Sequence, residues 1–172
     1  MKDKLIFSII IGMLAILIVW VIGVVLQNKE DGSGLVLVPV NLFYYSAEAD
    51  TKNGNVKCSL DGIVPVERRL RIGKGASTEE KIQATIRELI NGNLTESEIA
   101  EGIDTEFPLE GFSFVDTSLQ NGLLTLYFED TSNATTGGSC RTGILWLQIE
   151  QTALQFQEVD SVIFEPNTLF QP

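Results

Sequence analysis

The dipeptide Asn121-Gly122 constrains this chain more than any other feature. Both central positions of a type I′ turn need positive φ, and asparagine and glycine adopt it most readily. Before it, Phe112 and Phe114 alternate with Ser113 and Val115. After it, Leu124, Leu126 and Phe128 alternate with Leu123, Thr125 and Tyr127. A period of two gives each strand one apolar face, so Gly111 to Phe128 reads as a β-hairpin. An apolar sheet face needs a second layer to cover it.

Two amphipathic helices can supply that layer. Gly137-Gly138-Ser139-Cys140-Arg141 makes a flexible entry to a helical stretch. There Trp146, Ile149, Ala153 and Phe156 fall at intervals of three, four and three, which puts them on one side. Gln157–Asp160 then gives a polar turn, and Val162-Ile163-Phe164 is a short apolar run of strand type. The other helix opens at Ser77, which forms a capping box with Glu80, and runs to Asn91 with Ile82, Ile86, Leu89 and Ile90 on one side. Gly92 follows where a left-handed cap is expected. The preceding Gly73-Lys74-Gly75-Ala76-Ser77-Thr78 lacks the spacing of a phosphate-binding loop.

Leu35–Tyr45 is the first strand, with Pro39 marking an edge or a strand start. Ser46–Gly54 reads as an acidic surface loop. Lys57 to Ile72 carries a second strand, apolar at Val64 and Val66. Asn93–Glu106 holds five acids at Glu96, Glu98, Glu101, Asp104 and Glu106 without the alternating pattern of an EF-hand, and reads as solvated. Thr131–Gly138 is a polar loop. Residues 35–172 are thus expected to be an α+β domain, a mostly antiparallel sheet with two helices packed on one face, in the order β-β-α-β-β-α-β.

Leu5–Leu26 contains no charged residue, and its 22 positions suffice to cross a bilayer core. A retained anchor is the expected reading. A cleaved secretory signal is the alternative, although its apolar centre is usually about 7–15 residues. Residues 1–4, with Lys2 and Lys4, would then be the cytoplasmic terminus, 5–26 the anchor and 27–34 a linker, placing the domain outside. From Glu30 onward 22 acidic residues face 9 basic ones, a balance that repels nucleic acid and argues mainly for solubility. The two cysteines, Cys58 and Cys140, are consistent with one disulfide in an exported domain; two buried free thiols are the alternative. Such a bond would contribute about 4 kcal/mol in the chain-entropy model.

The chain has no histidine, which removes Ser-His-Asp and Cys-His pairs and histidine-based metal sites. Carboxylate pairs remain conceivable, so a cell-wall glycan hydrolase is one alternative function. A small-ligand or peptide binder using an exposed sheet edge is another. Arg68, at the end of an apolar strand, is singled out as a structural or ligand-binding arginine.

Taken together, several segments resemble the GerMN domain of bacterial sporulation and spore germination proteins, from about Val38 to Pro166. They are Asn41-Leu42-Phe43-Tyr44, Val64-Pro65-Val66-Glu67-Arg68, Ala84-Thr85-Ile86-Arg87-Glu88-Leu89-Ile90-Asn91-Gly92, the Asn121-Gly122 hairpin, and Ile149 through Val162. Asn93 stands where the family usually has proline. Some members pair a cysteine before the arginine strand with a Gly-Ser-Cys before the last helix, which implies a Cys58–Cys140 bond here. Such domains are similar to ring-building modules of envelope secretion assemblies, two helices on a three-stranded sheet. The resemblance implies a non-enzymatic, envelope-anchored module that binds envelope proteins or itself, with no catalytic residues, cofactor or metal. It would sit on the bacterial cell membrane as a single-pass protein, amino terminus inside and carboxy-terminal domain outside.

Overall fold

Asn121 and Gly122 adopt φ of 51° and 82°, as a type I′ turn demands. The turn joins β4 (Phe112–Gln120) to β5 (Leu123–Asp130), paired antiparallel with Gln120 opposite Leu123. Gly122 is needed for a second reason: a Cβ there would stand 2.0 Å from Asp160 Oδ2. Its carbonyl also accepts the N–H groups of Asp160 and Ser161, at 2.8 and 3.2 Å, and so catches the next strand of the sheet.

This computed structural model describes residues 34–52 and 57–172. The apolar run Leu5–Leu26 and its flanks up to residue 33 lie outside them, and among the described residues no helix is long and apolar enough to cross a membrane. The remaining elements are β1 (Leu35–Ser46), α1 (Ala47–Thr51), a 3₁₀ turn (Leu60–Gly62), β2 (Ile63–Gly73), α2 (Thr78–Ile90), α3 (Glu96–Ala100), β3 (Ile103–Asp104), α4 (Ser139–Leu154) and β6 (Ser161–Glu165).

The fold is α+β, as expected, but the single mostly antiparallel sheet is corrected to two three-stranded sheets, ordered β2-β1-β3 and β4-β5-β6. β6 lies parallel to β5, with Leu126 opposite Phe164. The reason is the connection: β5 reaches β6 through α4, and a strand–helix–strand crossover returns the chain in its original direction. The two long helices do not share one face of one sheet. α2 packs on β4, β2 and α4, while α4 reaches both β2 and β6.

The sheets stay separate because helix side chains close their edges. Along β1, Phe43 N–H donates to Thr152 Oγ1 at 3.0 Å and Asn41 N–H to Gln155 Oε1 at 2.8 Å, while Gln155 Nε2 donates to the Asn41 carbonyl at 2.7 Å. Pro39, two residues earlier on that edge, has no N–H to offer. Along β4, Leu119 N–H donates to Glu79 Oε1 at 2.7 Å, and the Arg87 guanidinium reaches the carbonyls of Phe114 and Val115, each at 3.4 Å. Gln83, between them on α2, donates to Asp116 Oδ1 at 3.1 Å. Glu79, Gln83 and Arg87 recur every fourth residue, so they form one stripe.

Three local expectations are corrected. Ser46–Gly54 is not all loop, because Ser46 caps the one-turn helix α1. The acidic stretch Asn93–Glu106 is not merely solvated. Thr95 and Glu98 form a capping box that starts α3, and β3 follows it. On α4 the buried positions are Thr142, Leu145, Gln148, Ile149, Thr152 and Ala153. Trp146 is half-buried against Phe164, with ring centroids 4.5 Å apart, and Phe156 falls beyond the helix end. The stripe is rotated because α4 faces two sheets and uses Thr152 on β1 and Gln148 on Thr105, just past β3.

One apolar core joins Val40, Leu42 and Tyr44 of β1 to Ile82, Ile86 and Leu89 of α2, and to the inward residues of β4, β5 and β6. Phe128 stacks on Phe112 at 4.9 Å and meets Phe114 edge-on at 5.4 Å. The carboxy-terminal segment closes this end. Phe170 packs edge-on against Phe164 at 5.3 Å, and its N–H donates to Thr135 Oγ1 at 3.3 Å.

Candidate functional site

With helices on its inner side, the sheet β4-β5-β6 leaves its other face uncovered. Alternation sends Leu123, Thr125 and Tyr127 of β5 outward, and Ile163 of β6 beside them, Thr125 opposite Ile163. Alternation puts Val115 of β4 on the same face, and a bulge between Phe114 and Asp116 keeps Asp116 there beside it before Thr117 turns inward. Val115 is 47% exposed, Tyr127 39%, Ile163 41% and Leu123 41%, which makes this a patch of large apolar groups rather than one stray residue. An open depression of about 510 Å³ lies between Val115, Tyr127 and Ile163, with Glu129 and Glu165 at its rim. Asp116, opposite Tyr127, adds a third acid on the β4 side.

The residues singled out from sequence stand elsewhere. Cys58 and Cys140 are joined, their Cα atoms 5.3 Å apart and 82 positions apart in sequence. The bond ties the loop before β2 to the first turn of α4. Asp50, fully buried, organises that loop. Its carboxylate accepts the Ser59 hydroxyl at 2.5 Å, the N–H groups of Cys58 and Ser59 at 2.5 and 3.0 Å, and the Tyr45 hydroxyl at 2.9 Å. The Ser59 hydroxyl, and after it the two backbone donors, outweigh burial and hold this carboxyl down at about 2.

Arg68 lies on the inner side of β2 and binds Glu98 with both arms of its guanidinium, at 2.7 and 2.8 Å. It also donates to the carbonyls of Asn93, at 2.9 Å, and Glu67, at 3.2 Å. This bidentate pair, with side chains 18% exposed on each partner, holds Glu98 at about 2 and raises Arg68. Arg68 thereby fastens α3 and the segment after α2 to β2. Nearby, the Tyr44 hydroxyl is buried with no hydrogen-bond partner among the described residues, and burial pushes it up to about 12.

Asp130 is a second loop anchor. It accepts from Ala134 N–H at 2.7 Å, Thr135 N–H at 2.9 Å and the Thr135 hydroxyl at 2.7 Å. Burial opposes its ionised form, but these donors prevail and its carboxyl lies below the ordinary range. Glu158 is lowered too, chiefly by the Thr78 hydroxyl. Among the described residues no group of three or more His, Cys, Asp or Glu is placed to hold a metal ion.

Sequence reading missed the patch, Asp50 and the Arg68–Glu98 pair. A signal existed for the last, since Thr95-x-x-Glu98 is a capping-box pattern. For the patch, the outward apolar positions Leu123 and Tyr127 were visible, but not that nothing would cover them.

A family model described as Germane, sporulation and spore germination, matches residues 42–167. Among solved structures, the tandem GerMN domains of the sporulation protein GerM from Bacillus subtilis align at 20% identity and a TM-score of 0.45. The alignment covers 78% of this chain and 41% of that one, so the chain spans about two fifths of that structure's length. A putative lipoprotein from Clostridium perfringens aligns at 10% identity and a TM-score of 0.38, covering 77% of this chain and 78% of that one. No curated protein matches.

Proposed function

This chain belongs to the Germane family of sporulation and spore germination, and from that premise we propose that its domain is a non-enzymatic interaction module. The patch on β4-β5-β6 is its binding surface. The observation that carries this reading is the set of large apolar side chains left together on the one face of that sheet without a helix. Burying such a patch is favourable at about 25 cal/mol per Å² of apolar area. The acidic rim of Asp116, Glu129 and Glu165 selects a partner surface with an apolar centre and lysines or arginines around it.

A glycan hydrolase would need a carboxyl held above its ordinary value to act as general acid. Asp50, Glu98, Asp130 and Glu158 are each held below theirs by hydrogen bonds of the fold, so none of these four is such an acid. The same reading keeps the domain outside the bacterial cell membrane, tethered by Leu5–Leu26 and partnered with another envelope protein. The length of that run supports it, as does the disulfide, a bond that persists in oxidising compartments.

A photo-crosslinking residue at Tyr127 of the full chain, in the native host, tests the proposal. A discrete adduct is expected, and its partner, once purified, should bind the Tyr127→Asp chain about tenfold or more weakly. No adduct above that from Glu67 on β2, or undiminished binding by Tyr127→Asp, would overturn it.

A further inference from the structure

We propose that a second copy of this chain pairs with the outer edge of β6, antiparallel and centred on Ile163. Where β3 does not reach, at Asn41 and Phe43, the side of β1 is closed by Gln155 and Thr152, and the outer edge of β4 is closed by Glu79 and Arg87 of α2. β6 is treated differently. Ser161 N–H donates to the Gly122 carbonyl, so it points toward β5. Strand alternation then turns the main-chain groups of Ile163 and Glu165 the same way, and those of Val162 and Phe164 outward. Among the described residues none bonds to these outward groups.

Pro166, directly after the strand, has no N–H, so the pairable edge ends with β6. What remains is short and self-complementary. In an antiparallel pair related by a two-fold axis, Val162 stands opposite the second copy's Phe164 and exchanges both hydrogen bonds with it. The two-fold repeats the exchange, making four bonds. Ile163 meets its own counterpart, and Ser161 faces Glu165. Moving the axis to Glu165 would oppose like charges, and moving it to Ser161 would set Asp160 against Val162. An axis on Val162 would set Asp160 against Phe164, and one on Phe164 would set Val162 against Pro166, which has no N–H, so charge and donor placement together select the register on Ile163.

The contact would also set the two outer faces side by side through Ile163, a residue left 41% exposed in the single chain. This inference does not rest on the binding role of the patch. That role uses side chains around Tyr127, and this one uses the main chain of β6, so either can fail alone.

Cysteine cross-linking of the full chain, without reductant so that Cys58–Cys140 stays bonded, tests the register. Ile163→Cys should give about tenfold more covalent dimer than Ser113→Cys on the distant strand β4, because directly opposed non-hydrogen-bonded residues have Cα atoms about 4.5 Å apart. Ser161→Cys and Glu165→Cys should cross-link when mixed. Each alone should not, because its own copy would be roughly 13 Å away along the strands. All three positions are exposed, so loss of folding is not expected, and circular dichroism checks it. Dimer from Ile163→Cys no greater than from Ser113→Cys, or self-linking at Ser161→Cys equal to that at Ile163→Cys, overturns the proposal.

Discussion

Around β4, β5 and β6 the binding material is aromatic. Phe112, Phe114, Phe128, Phe164, Phe170 and Trp146 form one chain of ring contacts, with centroids 4.5 to 6.2 Å apart. Around β1, β2 and β3 it is polar: Asp50 gathering a loop, Arg68 clasping Glu98, Thr152 and Gln155 bonded to β1, and the disulfide behind them. Ring packing depends on area and shape, and neither changes with protons or thiols. Carboxylate hydrogen bonds and a disulfide depend on the medium. The ring packing of one half is therefore indifferent to pH and redox state, with Asp130 at its margin the exception, while the other half is stable on conditions.

The largest effect expected is loss of the disulfide. Replacing Cys58 and Cys140 with serine should lower stability by about 4 kcal/mol, measured by urea unfolding. Amide exchange should quicken at Ser59–Gly62 and the first turn of α4 well beyond any change in β5. Equal change in both would break the comparison. Next comes Phe128→Ala, which empties the centre of the aromatic chain at a cost of about 3–4 kcal/mol. That deficit should stay constant between neutral pH and pH 3.

Arg68→Met is smaller, about 2 kcal/mol at neutral pH, since it leaves Glu98 half-buried without its charged donor. Here pH sharpens the contrast. Glu98 is lowered from an ordinary 4.5 to about 2, so its ion pair stabilises the fold fully above 4.5 and fades as pH falls toward 2. The Arg68→Met deficit should shrink over that window in a stability–pH series. Asp50, lowered from 3.8 to about 2, adds a loss of the same sign in the natural chain. A Phe128→Ala deficit that followed the same curve would show that the two halves do not differ as described.

The aromatic half was the more legible in sequence. Asn121-Gly122 and the alternation around it determine a hairpin from neighbours alone, and Ser77 with Glu80 announces α2 in the same local way. Alternation says which face of a strand is apolar but not which strand lies beside it, so the division into two sheets and the parallel β6 were hidden. α1 and α3, five residues each, are too short for a helical period to show. Asp50 draws its partners from positions 5 to 9 residues away, a spacing with no pattern, and Arg68 finds Glu98 30 residues on. The apolar patch was written in Val115, Tyr127 and Ile163, yet exposure is a property of what is missing above them. Only the fold supplies that.

The stripe Glu79, Gln83 and Arg87 has a consequence for how this domain tolerates change. Solvent-facing helix positions ordinarily accept almost any polar substitute, and a drifting lineage exchanges them freely. Here those positions are the hem of a neighbouring sheet. Swapping Glu79 or Arg87 for a shorter residue would leave α2 intact and soluble while unmasking the main chain of β4 to any passing strand. The damage would register as clumping at high concentration, in a molecule whose melting temperature had scarcely moved.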